Sequence, residues 1–91
     1  MLIVRRYIVR GRVQGVGFRY ATARKAKEYN LTGWVKNLPS GEVETVVQGE
    51  QQLLDDFERW LWRGPEYSRV TEVERKTAPD QNFETFKIAR Y

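Results

Sequence analysis

The spacing of apolar side chains changes between residues 13 and 18, and this change constrains the fold more than any other feature of the sequence. In residues 2–13, Tyr7, Val9 and Val13 alternate with positions occupied mainly by arginine, a period of two that is typical of a β-strand. From there the spacing becomes helical, because four side chains fall on one helical face: Phe18, Thr22, Ala26 and Tyr29. Residues 14–17 therefore form a loop that joins a strand to a helix.

The rest of the chain continues these two patterns and completes an order of elements. The predicted helices are residues 18–29 and 50–63, and the predicted strands are residues 2–13, 31–38, 42–48, 70–76 and 83–90. Asn30 is a stop signal for the first helix, Gly64-Pro65 ends the second, and Pro39-Ser40-Gly41 turns one strand into the next as a hairpin. The order β-α-β-β-α-β with a short extra C-terminal strand predicts an α+β ferredoxin-like sandwich. Its two helices cover one face of a mostly antiparallel sheet.

Composition excludes several classes of site. The 91 residues suffice for one hydrophobic core, so we expect one domain, residues 1–91. The sequence contains no cysteine and no histidine, which excludes a thiolate metal site, a cysteine nucleophile and the usual general base near neutral pH. Glu42 and Glu44 alternate on a strand without a third ligand nearby in sequence, so we expect no metal.

Charge and hydropathy indicate the kind of ligand and the environment. The net charge of +4 favours anionic ligands but does not identify the anion. The N-terminal apolar stretch is too short, and too interrupted by arginine, to be a signal peptide or a membrane span. We therefore expect a soluble, cytoplasmic protein without a membrane partner.

The loop GRVQGVGFRY, residues 11–20, has the composition of an anion site. Glycines allow positive φ angles and close approach of a ligand, and free amides at the start of a helix bind phosphate. Arg19 could add two parallel hydrogen bonds to phosphate oxygens. The alternative, a turn with two glycines and a surface arginine, remains open on composition alone. The spacing matches neither the Walker-type phosphate loop nor the dinucleotide fingerprint.

Two motifs together resemble the paired signature of acylphosphatases: GRVQGVGFRY and, after one helix, LTGWVKNLPSGEVE. The resemblance extends over nearly the whole chain, including RGP at the end of the second helix and F-K-I-x-R near the C-terminus. It implies hydrolysis of an acyl phosphate to a carboxylate and inorganic phosphate, without metal or cofactor. It also implies that Arg19 binds the phosphate by charge and that Asn37 orients the attacking water. The amides implied to cradle the phosphate are those of Gln14, Gly15, Val16, Gly17 and Phe18.

Hydrolysis of an acyl phosphate is compatible with a sequence that lacks histidine. A carboxylate leaving group, whose conjugate acid has a pKa of about 4, needs no general acid, so the lack of histidine is no obstacle. What remains is to position a water and to stabilise charge on the phosphoryl oxygens. Without the resemblance, Asn37 also fits a turn residue that bonds its own backbone before Pro39.

Two other classes of function share parts of this pattern. RNA-recognition modules have the same architecture, but the predicted third strand here, EVETVVQ, is acidic and has no aromatic residue on which a base could stack. A non-catalytic accessory domain that binds phosphate or carbamoyl phosphate is the second alternative. We expect a monomer whose partners are a small acyl phosphate and inorganic phosphate, as product and inhibitor, and not a nucleic acid.

Overall fold

The secondary structure follows the predicted order closely. The computed structural model describes residues 1–89. Its elements are β1 (Leu2–Arg12), α1 (Phe18–Glu28), β2 (Thr32–Asn37), β3 (Val43–Glu50), α2 (Gln51–Arg63), β4 (Arg69–Lys76) and β5 (Phe86–Ile88). Two helices on a five-stranded mixed sheet confirm the predicted α+β ferredoxin-like fold.

The last strand is shorter than the predicted residues 83–90. The amide of Phe83 donates a hydrogen bond to the side chain of Gln48, 2.9 Å away, and not to the backbone of β2. Regular pairing with β2 therefore begins only at Phe86. The predicted strand residue Arg90 lies outside the described residues.

The order of strands in the sheet is β4-β1-β3-β2-β5. β1 and β2 each pair with β3 in antiparallel fashion, so β1 and β2 run in the same direction although they do not touch. Only β2 and β5, among the described strands, pair in parallel. The C-terminal ends of β1 and β2 consequently meet at one edge of the sheet, where Val9, Val43 and Asn37 lie side by side on β1, β3 and β2.

Both helices cover the same face of the sheet. α1 packs against β2 and β5, whereas α2 packs against β4, β3 and β1. The predicted stripe on α2 is confirmed, because Leu54, Phe57 and Leu61 are fully buried. The core between sheet and helices includes Tyr7, Val9, Val13, Phe18, Ala26, Leu31, Val35, Val43, Val47, Leu54, Phe57, Leu61 and Phe86. No helix within residues 1–89 is long and apolar enough to cross a membrane.

The end of α1 has the geometry that a stop signal requires. Asn30 adopts a left-handed conformation with φ of 56°. The amides of Leu31 and Asn30 donate to the carbonyl oxygens of Ala26 and Lys27, at 2.8 and 3.1 Å. This Schellman arrangement satisfies the last helical carbonyls and turns the chain into β2.

Polar side chains also tie α2 to β1 through the core. The hydroxyl of the fully buried Tyr7 donates to Glu58 Oε1 at 2.7 Å, and Arg5 Nη1 donates to Asp55 Oδ1 at 2.8 Å. Burial raises the pKa of Tyr7 to about 12. The pKa of Glu58 is lowered even though burial opposes this, because Arg75 and Tyr7 both donate to the carboxylate. The network is fully paired, as buried charges require.

Candidate active site

The loop between β1 and α1 exposes its backbone. Gly15 and Gly17 have φ angles of 75° and 78°, in the left-handed region that favours glycine. A Cβ atom added at either position would meet no atom within 4 Å, so these glycines face open space. The loop therefore leaves room for a ligand against the main chain.

The start of α1 provides hydrogen-bond donors that the helix does not use. The N-cap residue is Gly17, so no side chain accepts a hydrogen bond from the first amides of the helix. The first helical hydrogen bond is donated by Ala21 N to Gly17 O, at 3.0 Å. No residue among 1–89 accepts a hydrogen bond from the amides of Phe18, Arg19 or Tyr20. Free amides at a helix N-terminus carry a partial positive charge and attract anions.

Phe18 fixes this helix start to the core. Its side chain is fully buried, and its ring lies 5.9 Å from the ring of Trp60 on α2. Gly64, just after α2, leaves space for the same ring, because an added Cβ there would lie 3.0 Å from Phe18. The buried ring of Phe18 therefore anchors the start of α1, where the Phe18 amide makes no hydrogen bond within residues 1–89.

Arg19 is half-buried beside these amides. No carboxylate among residues 1–89 forms an ion pair with its guanidinium. Arg5 and Arg10, by contrast, have carboxylate partners at 2.8 Å. The guanidinium of Arg19 is thus available to an external anion.

Asn37 is the last residue of β2, and its side chain has an unsatisfied acceptor. Its Oδ1 is buried, and no group among residues 1–89 donates to it. Leaving a buried polar atom unpaired costs about 1–3 kcal/mol, so such an atom is commonly found where a ligand or water completes the bonding. One pocket of about 140 Å³ is lined by Val13, Gly15, Gly17, Phe18, Arg19, Tyr20 and Asn37.

The pocket brings together most, but not all, of the residues predicted from the sequence. Gly15, Gly17, Phe18, Arg19 and Asn37 line it. Val16 does not, and neither does Gln14, whose side chain reaches the β2–β3 hairpin instead. Sequence reasoning missed Tyr20, an aromatic side chain that is 72% exposed at the pocket wall. Its position immediately after Arg19 was the available signal.

The match to known proteins decides the family. The family model for acylphosphatase matches residues 5–88 of this chain. The chain belongs to the acylphosphatase family. An acylphosphatase of Chromohalobacter salexigens is 50% identical over 80 residues, which cover 88% of this chain and 89% of that protein.

Solved structures of this family have the same fold. The acylphosphatase of Coxiella burnetii superimposes with a TM-score of 0.92 at 38% identity, covering 97% of this chain and 93% of that one. HypF of T. kodakarensis contains a similar segment, with a TM-score of 0.83 and 34% identity. That alignment covers 96% of this chain but 12% of HypF.

This acylphosphatase also has a larger cleft, of about 510 Å³, beside β5 and the outer face of the sheet. Its wall includes Trp34, Lys36 and Phe83 but none of the predicted site residues. No group of three or more His, Cys, Asp or Glu side chains within residues 1–89 is arranged to hold a metal ion. The smaller pocket is the one in which a free guanidinium, free amides and a buried unpaired oxygen occur together.

Proposed function

We propose that this acylphosphatase hydrolyses the carboxyl–phosphate bond of acyl phosphates in the pocket that contains Arg19 and Asn37. Family membership supplies the reaction, acyl phosphate plus water giving carboxylate and inorganic phosphate. The observation that carries the choice of site is the convergence, in one pocket, of an unpaired guanidinium, free backbone amides and an unpaired carboxamide oxygen.

Phosphate binding follows from the first two of these groups. The loop amides of Gln14 to Phe18, together with the free amides at the start of α1, donate to phosphoryl oxygens, and the helix dipole favours the negative charge there. Arg19 supplies a formal positive charge and two parallel donors, a geometry suited to two phosphate oxygens. In the transition state these fixed donors stabilise charge without reorganising.

Hydrolysis needs a water held opposite the leaving group. Asn37 Oδ1 accepts a hydrogen bond from this water and directs its oxygen towards phosphorus. The new P–O bond forms as the bond between phosphorus and the acyl oxygen breaks, and the carboxylate departs with the electron pair. A neutral carboxamide is too weak a base to keep the proton, so the proton moves from the water to a phosphoryl oxygen.

These steps need no metal and no cofactor. The carboxylate leaves without protonation, because its conjugate acid has a pKa of about 4. Arg19 and the amides take the place that a cation holds in other phosphoryl-transfer sites. We expect hydrolysis to continue at full rate in EDTA.

We further propose that residues 1–91 act as one domain and a monomer in the cytoplasm, without a nucleic-acid partner. The proposed reaction uses Arg19, backbone amides before and at the start of α1, and Asn37, and one chain supplies all of these groups. On the outer face of the sheet, Arg6 pairs with Glu44 at 3.2 Å and Arg10 pairs with Glu74 at 2.8 Å. A face whose arginines are already neutralised is unsuited to a phosphate backbone.

The decisive experiment combines turnover with phosphate binding in two variants. With benzoyl phosphate in EDTA, Asn37→Ala should lower hydrolysis to a small residual rate but still bind inorganic phosphate, and Arg19→Gln should lose both activities. Phosphate should inhibit the unmodified protein competitively. Wild-type turnover in Asn37→Ala would contradict the role of this residue. Phosphate binding by the unmodified protein without any turnover would instead support the accessory-domain alternative.

A further inference from the structure

The side chain of Gln14 spans the space between the β1–α1 loop and the β2–β3 hairpin. Its Nε2 atom donates to two carbonyl oxygens, those of Leu38 and Glu42, each at 2.8 Å. Both hydrogens of one amide group are therefore used on the same hairpin. Leu38 directly follows Asn37, so the contact lies one residue from the carboxamide in the pocket.

The hairpin turn itself is held by short-range bonds. Leu38 N donates to Glu42 O at 2.8 Å, and Gly41 N donates to Leu38 O at 3.1 Å. Residues 39–41 are exposed. These bonds define the shape of the turn but not its distance from the loop that precedes α1.

Strand pairing in the sheet also does not directly set the distance between the hairpin turn and the loop that precedes α1. β1, which leads to the loop, and β2, which carries Asn37, are separated by β3. The last paired residue of β3 at this edge is Val43, opposite Asn37. Gln14 crosses the end of β3 and connects the two halves of the pocket through a single side chain.

We propose that Gln14 is a positioning residue for the hydrolytic step. Its carboxamide fixes the separation between the phosphate-binding loop and Asn37, and with it the position of the attacking water relative to phosphorus. The side chain lies outside the pocket and acts through Asn37. This role is distinct from that implied for its backbone amide, and it rests on the proposed function of Asn37.

A positioning role predicts a specific kinetic pattern. Arg19 and the amides at the start of α1, which bind phosphate, are anchored through α1 and Phe18, so their geometry persists when the Gln14 side chain is removed. The water position does not persist, and a misplacement of about 1 Å can cost about 100-fold in rate. Gln14→Ala should therefore lower kcat by one to two orders of magnitude, an estimate on the same basis, with the inhibition constant of phosphate unchanged.

A second variant tests the hydrogen bonds themselves. Gln14→Glu keeps the shape of the side chain but points a carboxylate at two carbonyl oxygens. When protonated, the carboxyl group regains one donor. The kcat of Gln14→Glu, relative to that of the unmodified protein, should consequently rise as the pH is lowered, whereas that of Gln14→Ala should not.

Gln48 offers a matched control on the same sheet. It is 7% exposed, donates to Asn82 Oδ1 at 2.8 Å and accepts from Phe83 N at 2.9 Å, and so ties another loop to β3 with two hydrogen bonds. Gln48→Ala should lower Tm and leave kcat unchanged. A loss of kcat equal to that of Gln14→Ala would show that general loosening, and not positioning, is responsible.

The double variant decides whether Gln14 acts through Asn37. Gln14→Ala should cause no further loss from the residual kcat of Asn37→Ala, because no positioned water remains to be misplaced. Unchanged kcat in Gln14→Ala, or a parallel loss of phosphate affinity, would overturn the inference and leave the roles of Arg19 and Asn37 intact. Wild-type turnover in Asn37→Ala alone would overturn the proposed function and this inference with it.

Discussion

Arg19 and Asn37 line one pocket of about 140 Å³, although β1, which leads to Arg19, and β2, which ends at Asn37, do not touch. Arg19 follows β1 on the first turn of α1, Asn37 ends β2, and β3 lies between those strands. The parallel direction of β1 and β2 brings both residues to the same edge of the sheet. The pocket therefore joins a charged anion site to a neutral hydrogen-bond acceptor.

The geometry of the Arg19 guanidinium is expected to contribute to phosphate binding in addition to its charge. Arg19→Lys keeps the charge but loses the two parallel donors, and one hydrogen bond to a charged group contributes about 1.5–3 kcal/mol. Inhibition by inorganic phosphate should weaken by about tenfold or more, since 1.4 kcal/mol corresponds to tenfold. Arg24→Lys, at an exposed position of the same helix, is the control and should not change inhibition.

Backbone strain at Gly15 should be measurable separately from contacts. Its φ is 75° and an added Cβ meets nothing, so Gly15→Ala should lower the free energy of unfolding by about 1–2 kcal/mol through strain alone. Phosphate affinity should also fall, because relief of the strain turns the amides away. Gly41→Ala, with φ of 99° and the same open surroundings, should cost similar stability in urea without weakening phosphate binding.

The buried Tyr7 hydroxyl predicts a loss of stability in alkali. Burial raises the pKa of Tyr7 from 10.0 to about 12 in the folded protein. The pKa of Tyr7 is therefore higher in the folded than in the unfolded protein. The contribution of the protonated hydroxyl to the free energy of unfolding is complete below about pH 10 and is lost as the pH rises towards about 12. Tyr7→Phe removes the bond to Glu58, costs about 1 kcal/mol at neutral pH and abolishes this alkaline loss.

Denaturant titrations at several alkaline pH values would measure this difference. Tyr67, whose side chain is 74% exposed, is the control, and Tyr67→Phe should retain the pH dependence of the unmodified protein. Equal alkaline losses in Tyr7→Phe and in the unmodified protein would assign the effect to another group.

Substitution of two tryptophans on α2 tests whether this helix supports the phosphate-binding loop. Trp60 packs against Phe18 and Phe57, with ring centroids 5.9 and 6.2 Å apart, whereas Trp62 is 49% exposed. Trp60→Ala should lower the free energy of unfolding by about 1–3 kcal/mol. It should also weaken phosphate binding, because Trp60 packs against Phe18, the first residue of α1. Trp62→Ala should leave the inhibition constant unchanged. Unaltered phosphate binding in a folded Trp60→Ala protein would argue against this support.

The spacing of apolar and turn residues predicted the helices, the helix ends and the hairpin, because each of these depends on residues that are near one another in the sequence. The stripe of Leu54, Phe57 and Leu61 and the stop at Asn30 are properties of a single helix and its end. The hairpin of β2 and β3 likewise follows from two strands joined by a short turn. These elements were predicted to within a few residues.

Interactions between distant segments were not predictable in this way. Asp55 and Glu58 on α2 bond to Arg5 and Tyr7 on β1, and spacing within α2 alone does not indicate these partners. The bridge from Gln14 to the hairpin depends on how the sheet brings two loops together. For the site, the motifs identified the residues, but only the strand order shows why Arg19 and Asn37 meet.

The position of β3 between the two contributing strands makes the complete pocket depend on two separate strand pairings. A chain that has formed only the β2–β3 hairpin contains Asn37 but has no phosphate loop opposite it. Pairing of β1 with the other side of β3 completes the pocket. During refolding from denaturant, hydrolysis should therefore return only as β1 pairs with β3.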